Sequence, residues 1–191
     1  MSKGRLEAFS DGVIAIIITI MVLELRPPDG ASLRDLVPLL PTFVAYLLSF
    51  LLLGTWWNNH HHLLHAAKVI DARVLWANLG LLFFLSLVPF GTAWVGRTSF
   101  APFPVALYGV DLFMAGAAYY ALVRALLAAP EQPRALAEAI GRDLKGKASS
   151  VLFAIAIPLA LAAPMLSVAI DVGVVVMWIV PDRRMERVIR G

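Results

Sequence analysis

Acidic side chains beside a long apolar run are the first residues of this chain whose chemistry matters. Asp11 and Glu24 bracket an uncharged run, 12–23. As an α-helix this run would cover about 18 Å, whereas the lipid core of a membrane is about 30 Å thick. Ser10, Asp11 and Glu24 would then lie close to or inside the lipid core, where an ionisable group needs a protein or water partner. This pattern favours a helix that is packed by other helices or lines an aqueous path.

The same run carries a face that could meet an ion. At about 100° per residue, Ile16, Thr19 and Leu23 share one side of a helix, with Ile20 beside them and Asp11 pointing away. On the axis of an oligomer, the aliphatic residues would form constrictions and Thr19 a ring of oxygens that partly replaces an ion's hydration shell. The alternative is ordinary core packing, with the threonine hydroxyl bonded to its own backbone.

Histidines near the end of the second apolar run allow two further interpretations. His61 and His65 are four residues apart, a spacing that places two imidazoles on one helix face and can serve a metal site. The pattern His-Glu-x-x-His is absent from the sequence. We therefore expect hydrogen-bonded or interfacial histidines and no metal, with sensing of cytoplasmic pH as the alternative.

Two more acids, Asp111 and Asp171, fall within later apolar runs. An ionisable group in a transmembrane segment is a functional candidate, because burying it in lipid is costly. Both residues are close to predicted helix ends, so we expect structural or interfacial roles for them.

The composition indicates which elements must position these groups. Of the 191 residues, 60% are hydrophobic and 15% are charged, and the mean hydropathy is +0.81. These values exclude a water-soluble globular domain. The chain has no cysteine, which excludes disulfides, thiolate metal sites and thiol nucleophiles. The sequence contains no nucleophile with a matching base and no phosphate-binding loop, so we expect no enzymatic activity.

Six apolar segments predict an all-α integral membrane protein with six transmembrane helices in a single domain, residues 1–191. The approximate helices are 5–26, 36–63, 71–95, 104–129, 147–163 and 165–181. With the amino terminus inside, every lysine and arginine except Arg26, Arg34 and Arg97 falls on the inner side. The positive-inside rule then predicts a multi-pass protein of the plasma (inner) membrane with both termini cytoplasmic. We expect the lipid bilayer, and no nucleic acid, among its partners.

The start of the first predicted helix carries a recognisable motif. It reads Arg5-Leu6-Glu7-Ala8-Phe9-Ser10-Asp11-Gly12-Val13-Ile14-Ala15-Ile16, followed by Thr19 and Leu23-Glu24. This stretch resembles the signature that opens the transmembrane protein 175 family of potassium channels. The resemblance continues in Trp57 and the histidines after it, Asp71, Asn78 and Leu87-Val88-Pro89-Phe90. Beyond Gly91 the agreement is in helix count and hydropathy.

The resemblance implies a homotetramer of six-helix protomers whose first helices line a central cation pore. Ile16 and Leu23 match constricting positions, with Ile20 as a further candidate for the constriction. Thr19 matches a threonine layer linked to potassium preference. The Phe-Ser-Asp motif is similar to one that holds the first helix against its neighbours through polar contacts. The residues expected in this structural motif and among its bonding partners are Arg5, Phe9, Ser10, Asp11, Trp57, His60, His61 and Asn78.

These correspondences imply a potassium-preferring cation channel that conducts passively, with potassium as the permeant ion and no cofactor. A proton-coupled secondary transporter and a non-conducting membrane scaffold are the alternatives. Transporter folds usually contain two related halves and helices that break at mid-membrane, and neither feature is evident in the sequence. A scaffold would use the Phe-Ser-Asp motif for packing alone.

Overall fold

A computed structural model describes residues 2–129, 132, 136–137, 140–141 and 143–179. Within these residues the chain forms six long helices and no strand. The helices are α1 (Lys3–Ile20), α2 (Leu40–Ala66), α3 (Ala72–Arg97), α4 (Pro102–Ala128), α5 (Leu144–Ala162) and α6 (Pro164–Ile179). A 3-10 turn, Met21–Glu24, extends α1, and another, Leu33–Leu39, leads into α2.

Length and composition make these helices suitable for a membrane. Five helical segments are long and apolar enough to cross a lipid core, and they include α1 to α5 with the two 3-10 turns. The sixth, α6, is apolar but has only 16 residues, which span about 24 Å. The prediction of an all-α integral membrane protein is confirmed. The four predicted cytoplasmic arginines of 183–190 lie outside the described residues.

Prolines explain where the first two helices differ from the predicted bounds. The α-helical part of α1 ends at Ile20 and tightens into a 3-10 turn. Pro27 follows shortly after, and a helix rarely continues through the residue before a proline. Pro38 and Pro41 lack an N–H donor, so the regular α-helical bonds of α2 begin only at Leu40.

The packing order places α1 at one side of the protomer. The helices α3 and α4 pack together, α5 packs on α4, and α6 packs mainly on α5. The helix α1 packs mainly on α2 and α3. The face of α1 that enters the core is formed by Leu6, Ile14, Ile17 and Met21, each at most 6% exposed. One side of α1 is thus held by its own protomer, and the other faces outward.

Candidate pore helix and its anchoring contacts

The outward side of α1 carries the residues that the sequence analysis assigned to a pore. Ile16 is 63% exposed, Leu23 is 71% exposed and Ile20 is 48% exposed. Thr19, between them, is also exposed. We call these four residues the α1 stripe. About half or more of each apolar side chain is left uncovered by the described protomer, so the stripe is free to meet lipid or other copies of the chain.

The hydroxyl of Thr19 bonds to the backbone of its own helix. Its Oγ1 lies 3.0 Å from the carbonyl oxygens of both Ala15 and Ile16. A hydroxyl has one hydrogen to donate, and its oxygen has two lone pairs. The bond to the backbone therefore fixes the side-chain rotamer and leaves the oxygen able to face an ion.

A buried polar cluster joins α1 to the two helices behind it. The amide Nδ2 of Asn78 in α3 donates to Oγ of Ser10 at 2.9 Å. The Oδ1 of the same amide lies 2.7 Å from Nε2 of His60 in α2. All three residues are at most 1% exposed. Because a buried hydrogen bond is costly to leave unmade, this cluster fixes the position of α1 relative to α2 and α3.

Asp11, the next residue along α1, has a different set of partners. Its Oδ1 accepts from the indole Nε1 of Trp57 at 3.0 Å, and its Oδ2 lies 3.8 Å from Nδ1 of His61. The side chains of Asp11 and His61 are 37% and 41% exposed. The pair of Asp11 and His61 is exposed to solvent, and such pairs contribute little stability. The hydrogen bond from Trp57 is therefore the stronger of the two contacts.

Two residues of the expected motif lie apart from these contacts. Arg5 is exposed, and its side chain has no hydrogen bond or ion pair with any residue that the structure describes. Six residues correspond to about 240° of helical rotation, which places Arg5 away from Asp11. Phe9 is 50% exposed and lies toward the side of the α1 stripe.

Polar contacts at both ends of α1 were not anticipated from the sequence. Nζ of Lys3 donates to the carbonyl oxygen of His65, at the end of α2. At the other end, Nη2 of Arg97 in α3 donates to Oε2 of Glu24. A signal for the second contact was present: Arg97 is one of the three basic residues predicted on the outer side, where Glu24 also lies.

The side chains of His61 and His65 stack against each other. The rings of His61 and His65 are nearly parallel, with their centroids 6.1 Å apart. Among the described residues, no group of three or more histidine or acidic side chains is placed to hold a metal ion. The i and i+4 spacing of His61 and His65 places their two rings in contact, next to Asp11.

Comparisons with known proteins point to one family. Residues 5–89 match the family described as "Endosomal/lysosomal potassium channel TMEM175". A potassium channel of Chryseobacterium sp. (strain P1-3) is 45% identical over 187 residues, which are 98% of this chain and 97% of that protein. The endosomal/lysosomal proton channel TMEM175 of Homo sapiens is 40% identical over 96 residues, 44% of this chain and 19% of that protein.

A solved structure has the same arrangement of helices. It is the crystal structure of a lysosomal potassium-selective channel TMEM175 homolog from Chamaesiphon minutus. The two chains superpose with a TM-score of 0.82 at 27% sequence identity, over 93% of this chain and 96% of the other. The likeness therefore extends over α4 to α6, where the sequence motifs were weak.

Proposed function

Because this chain belongs to the TMEM175 family of ion channels, we propose that it conducts potassium ions passively through a pore lined by α1. The family and the relatives are channels and not enzymes, in agreement with the sequence analysis. Conduction is favoured over a transporter or a scaffold because a relative that matches 98% of this chain is named a potassium channel.

The α1 stripe is the observation that carries the proposal. It leaves Ile16 and Leu23, two large aliphatic residues of one face, 63% and 71% exposed, while the opposite face of α1 is buried in the core. A stripe on the outer side of a protomer cannot enclose an ion path by itself. A homotetramer with the stripe on its axis would bury these side chains and give the path a wall.

The order of residues along the stripe gives each one a role. Ile16 and Leu23 would form two apolar constrictions that control conduction by dewetting, with Ile20 contributing if α1 rotates. Thr19 lies between them and would add a ring of oxygens. Since the Thr19 hydrogen is bonded to the helix backbone, the ring would present lone pairs, which attract cations.

The anchoring contacts support this assignment by fixing how α1 is turned. The Ser10 and Asp11 contacts lie near the middle of α1, and the Glu24 contact lies at the end of the 3-10 turn that extends it. A helix held at two separate points presents one fixed face. In this proposal the Phe-Ser-Asp motif positions the pore helix and does not contact the permeant ion.

The distribution of basic residues supports an orientation in the membrane. Lys3, Arg5, Lys68 and Arg73 all adjoin one end of the bundle, near the start of α1 and the connection from α2 to α3. We place this end and both termini in the cytoplasm, and the protein in the plasma (inner) membrane.

Reversal potentials test the proposed conduction. Purified protein in a planar bilayer, with potassium chloride on one side and sodium chloride on the other, is expected to reverse its current close to the potassium equilibrium potential. A reversal near zero, or no current from protein shown to be assembled, would contradict the proposal. Because some relatives are named proton channels, a second arm with symmetric potassium and a pH gradient measures the share of current that protons carry.

A further inference from the structure

A small, partly open cavity lies among the helices of the protomer, away from the α1 stripe. Its volume is about 30 Å³, which is room for one water molecule. Residues of α2, α3, α4 and α6 line it, and most of them are apolar. Four polar side chains are also present in the lining: Ser49, Thr92, Tyr108 and Asp171.

Asp171 of α6 lines this cavity and has a buried carboxylate oxygen without a hydrogen-bond partner among the described residues. The residue is only 7% exposed. Its Oδ1 is buried and has no hydrogen-bond partner among the residues that the structure describes. Buried side-chain oxygens in proteins almost always have a partner, and an isolated charge in apolar surroundings is far more costly than a neutral group. The unpartnered oxygen therefore indicates that the cavity holds a ligand.

The three hydroxyl groups opposite Asp171 form a chain. The hydroxyl of Tyr108 lies 2.8 Å from Oγ of Ser49, and that Oγ lies 2.7 Å from Oγ1 of Thr92. Thr92 is also 2.8 Å from the carbonyl oxygen of Val88 and 3.9 Å from Sδ of Met21. The chain thus runs from the cavity to the point where α1 becomes a 3-10 turn.

The three hydroxyl groups can donate their hydrogen bonds in either of two directions. If Thr92 donates to Val88, then Ser49 donates to Thr92 and Tyr108 donates to Ser49, so the phenol oxygen can only accept a hydrogen bond from the cavity. If Thr92 donates to Ser49 instead, the order reverses and Tyr108 donates into the cavity. A protonated carboxyl group suits the first order, and a carboxylate suits the second.

The size of the cavity and the free lone pairs decide which ligand it takes. Ser49 and Thr92 already bond to each other, so the oxygens of Tyr108 and Asp171 are the ones left for a ligand. A dehydrated alkali ion needs a shell of several oxygens, and a hydrated one exceeds the space for a single water. A proton needs one carboxyl oxygen and one acceptor.

We propose that this cavity is a proton-binding site, in which Asp171 takes up a proton and bonds to Tyr108 directly or through one water molecule. The proton comes from the aqueous phase, and the carboxylate becomes a neutral carboxylic acid. Gain or loss of this proton reverses the hydroxyl chain and changes the partner of Thr92, which touches Met21 of the pore helix segment. The site is separate from the proposed pore, and its occupancy does not depend on conduction.

Other ionisable groups around Asp171 are few. Among the described residues that line the cavity, Tyr108 is the other titratable group. Asp111, one turn further along α4, lies within electrostatic reach of Tyr108 but does not line the cavity. The facing residues of α2 and α3, Ser49 and Thr92, do not titrate, and α5 contributes no described residue to the lining.

Infrared difference spectra between alkaline and acidic buffer test the proposal directly on the full chain in liposomes. The parent protein is expected to gain several carbonyl bands, one from each carboxyl group that takes up a proton. Asp171→Asn is expected to lose one of these bands. Asp111→Asn is the matched control, because its carboxylate oxygens are also buried without a described partner but lie outside the cavity. It is expected to retain the band.

Each outcome of this experiment either supports or overturns the proposed proton site. A spectrum of Asp171→Asn that keeps every carbonyl band of the parent, or loss of the same band in Asp111→Asn, would overturn the proposal. If Asp171→Asn does not assemble, Tyr108→Phe provides the test, since loss of the phenol hydroxyl should shift the frequency of the carboxyl band. An unmoved band in Tyr108→Phe would also overturn it. Because no current is measured, failure of the channel assay leaves this result unaffected.

Discussion

Among single residues, the neighbours Ser10 and Asp11 show how one motif performs two tasks. Ser10 turns inward and is bonded by Asn78 in the core, whereas Asp11 lies at the edge of the bundle and is bonded by Trp57. A rotation of about 100° between adjacent helical residues accounts for this division. Inward and edge contacts together prevent α1 from turning about its axis, which keeps the stripe in place.

Asn78→Ala is expected to destabilise the folded protein by about 1–3 kcal/mol, because Ser10 and His60 would be left buried with unmet hydrogen bonds. The measurement is the loss of assembled protein on heating, followed by size-exclusion chromatography. Asn58→Ala is the matched control, because Asn58 is exposed. Equal heat stability of Asn78→Ala and Asn58→Ala would show that the buried cluster does not hold α1.

Thr19→Ala is expected to lower the permeability of potassium relative to sodium several-fold while leaving conduction, because the oxygen ring is lost and the aliphatic constrictions remain. Thr19→Ser keeps a hydroxyl at the same position and is expected to retain the preference. Bi-ionic reversal potentials of both variants make the comparison. An unchanged ratio in Thr19→Ala would remove the threonine from the mechanism.

The family resemblance named the residues that contact Ser10 and Asp11, but it did not give their pairing. The motif at the start of α1 directed attention to Trp57, His60, His61 and Asn78. Which of these reaches Ser10 and which reaches Asp11 depends on the relative rotation of three helices, and periodicity within one helix carries no such information. Arg5, expected among the partners, faces away because rotation accumulates over six residues.

The bounds of the helices depend on the residues at their ends, and the packing of the helices depends on where two of them approach closely. The number of helices followed from hydropathy, because each apolar segment must satisfy its backbone hydrogen bonds within the lipid. The bounds depended on local chemistry: prolines delay α2, and the side chain of Asp71 caps α3 by accepting from the backbone N–H of Val74 at 3.0 Å. Packing partners were not predictable, since similar apolar faces could be combined in several ways.

Gly96→Ala tests the closest of these approaches. A Cβ at Gly96 of α3 would lie 2.7 Å from the backbone Cα of Thr42 in α2, so the two helices would have to separate. We expect a loss of about 1–3 kcal/mol of stability, as for other overpacked sites.

The matched control for that variant is Gly80→Ala in the same helix. A Cβ there meets no described atom within 4 Å, and alanine is the better helix former. Gly80→Ala should leave heat stability equal or slightly raised. If both variants melt alike, the approach of α2 to α3 at Gly96 is looser than the structure indicates.

In the whole molecule, the most consequential feature is a helix with one face in the core and the other bare. Composition predicted the membrane, and periodicity predicted that Ile16, Thr19 and Leu23 share a face. Neither could distinguish a pore wall from a buried packing face. The structure leaves that face uncovered by the described part of the protomer, where lipid or further copies of the chain can meet it.

Cysteine modification of the α1 stripe tests the central claim, that this face lines the ion path. The chain contains no native cysteine, so single substitutions report without background. Leu23→Cys and Val22→Cys are adjacent, and both parent side chains are exposed in the protomer, at 71% and 48%. The two side chains point in different directions, because only Leu23 belongs to the α1 stripe.

A cationic thiosulfonate reagent applied during recording in a planar bilayer is expected to suppress most of the potassium current of Leu23→Cys. The same reagent should leave the current of Val22→Cys unchanged. Suppression in Val22→Cys with none in Leu23→Cys, or no effect in either after modification is verified by mass, would contradict a pore lined by the α1 stripe.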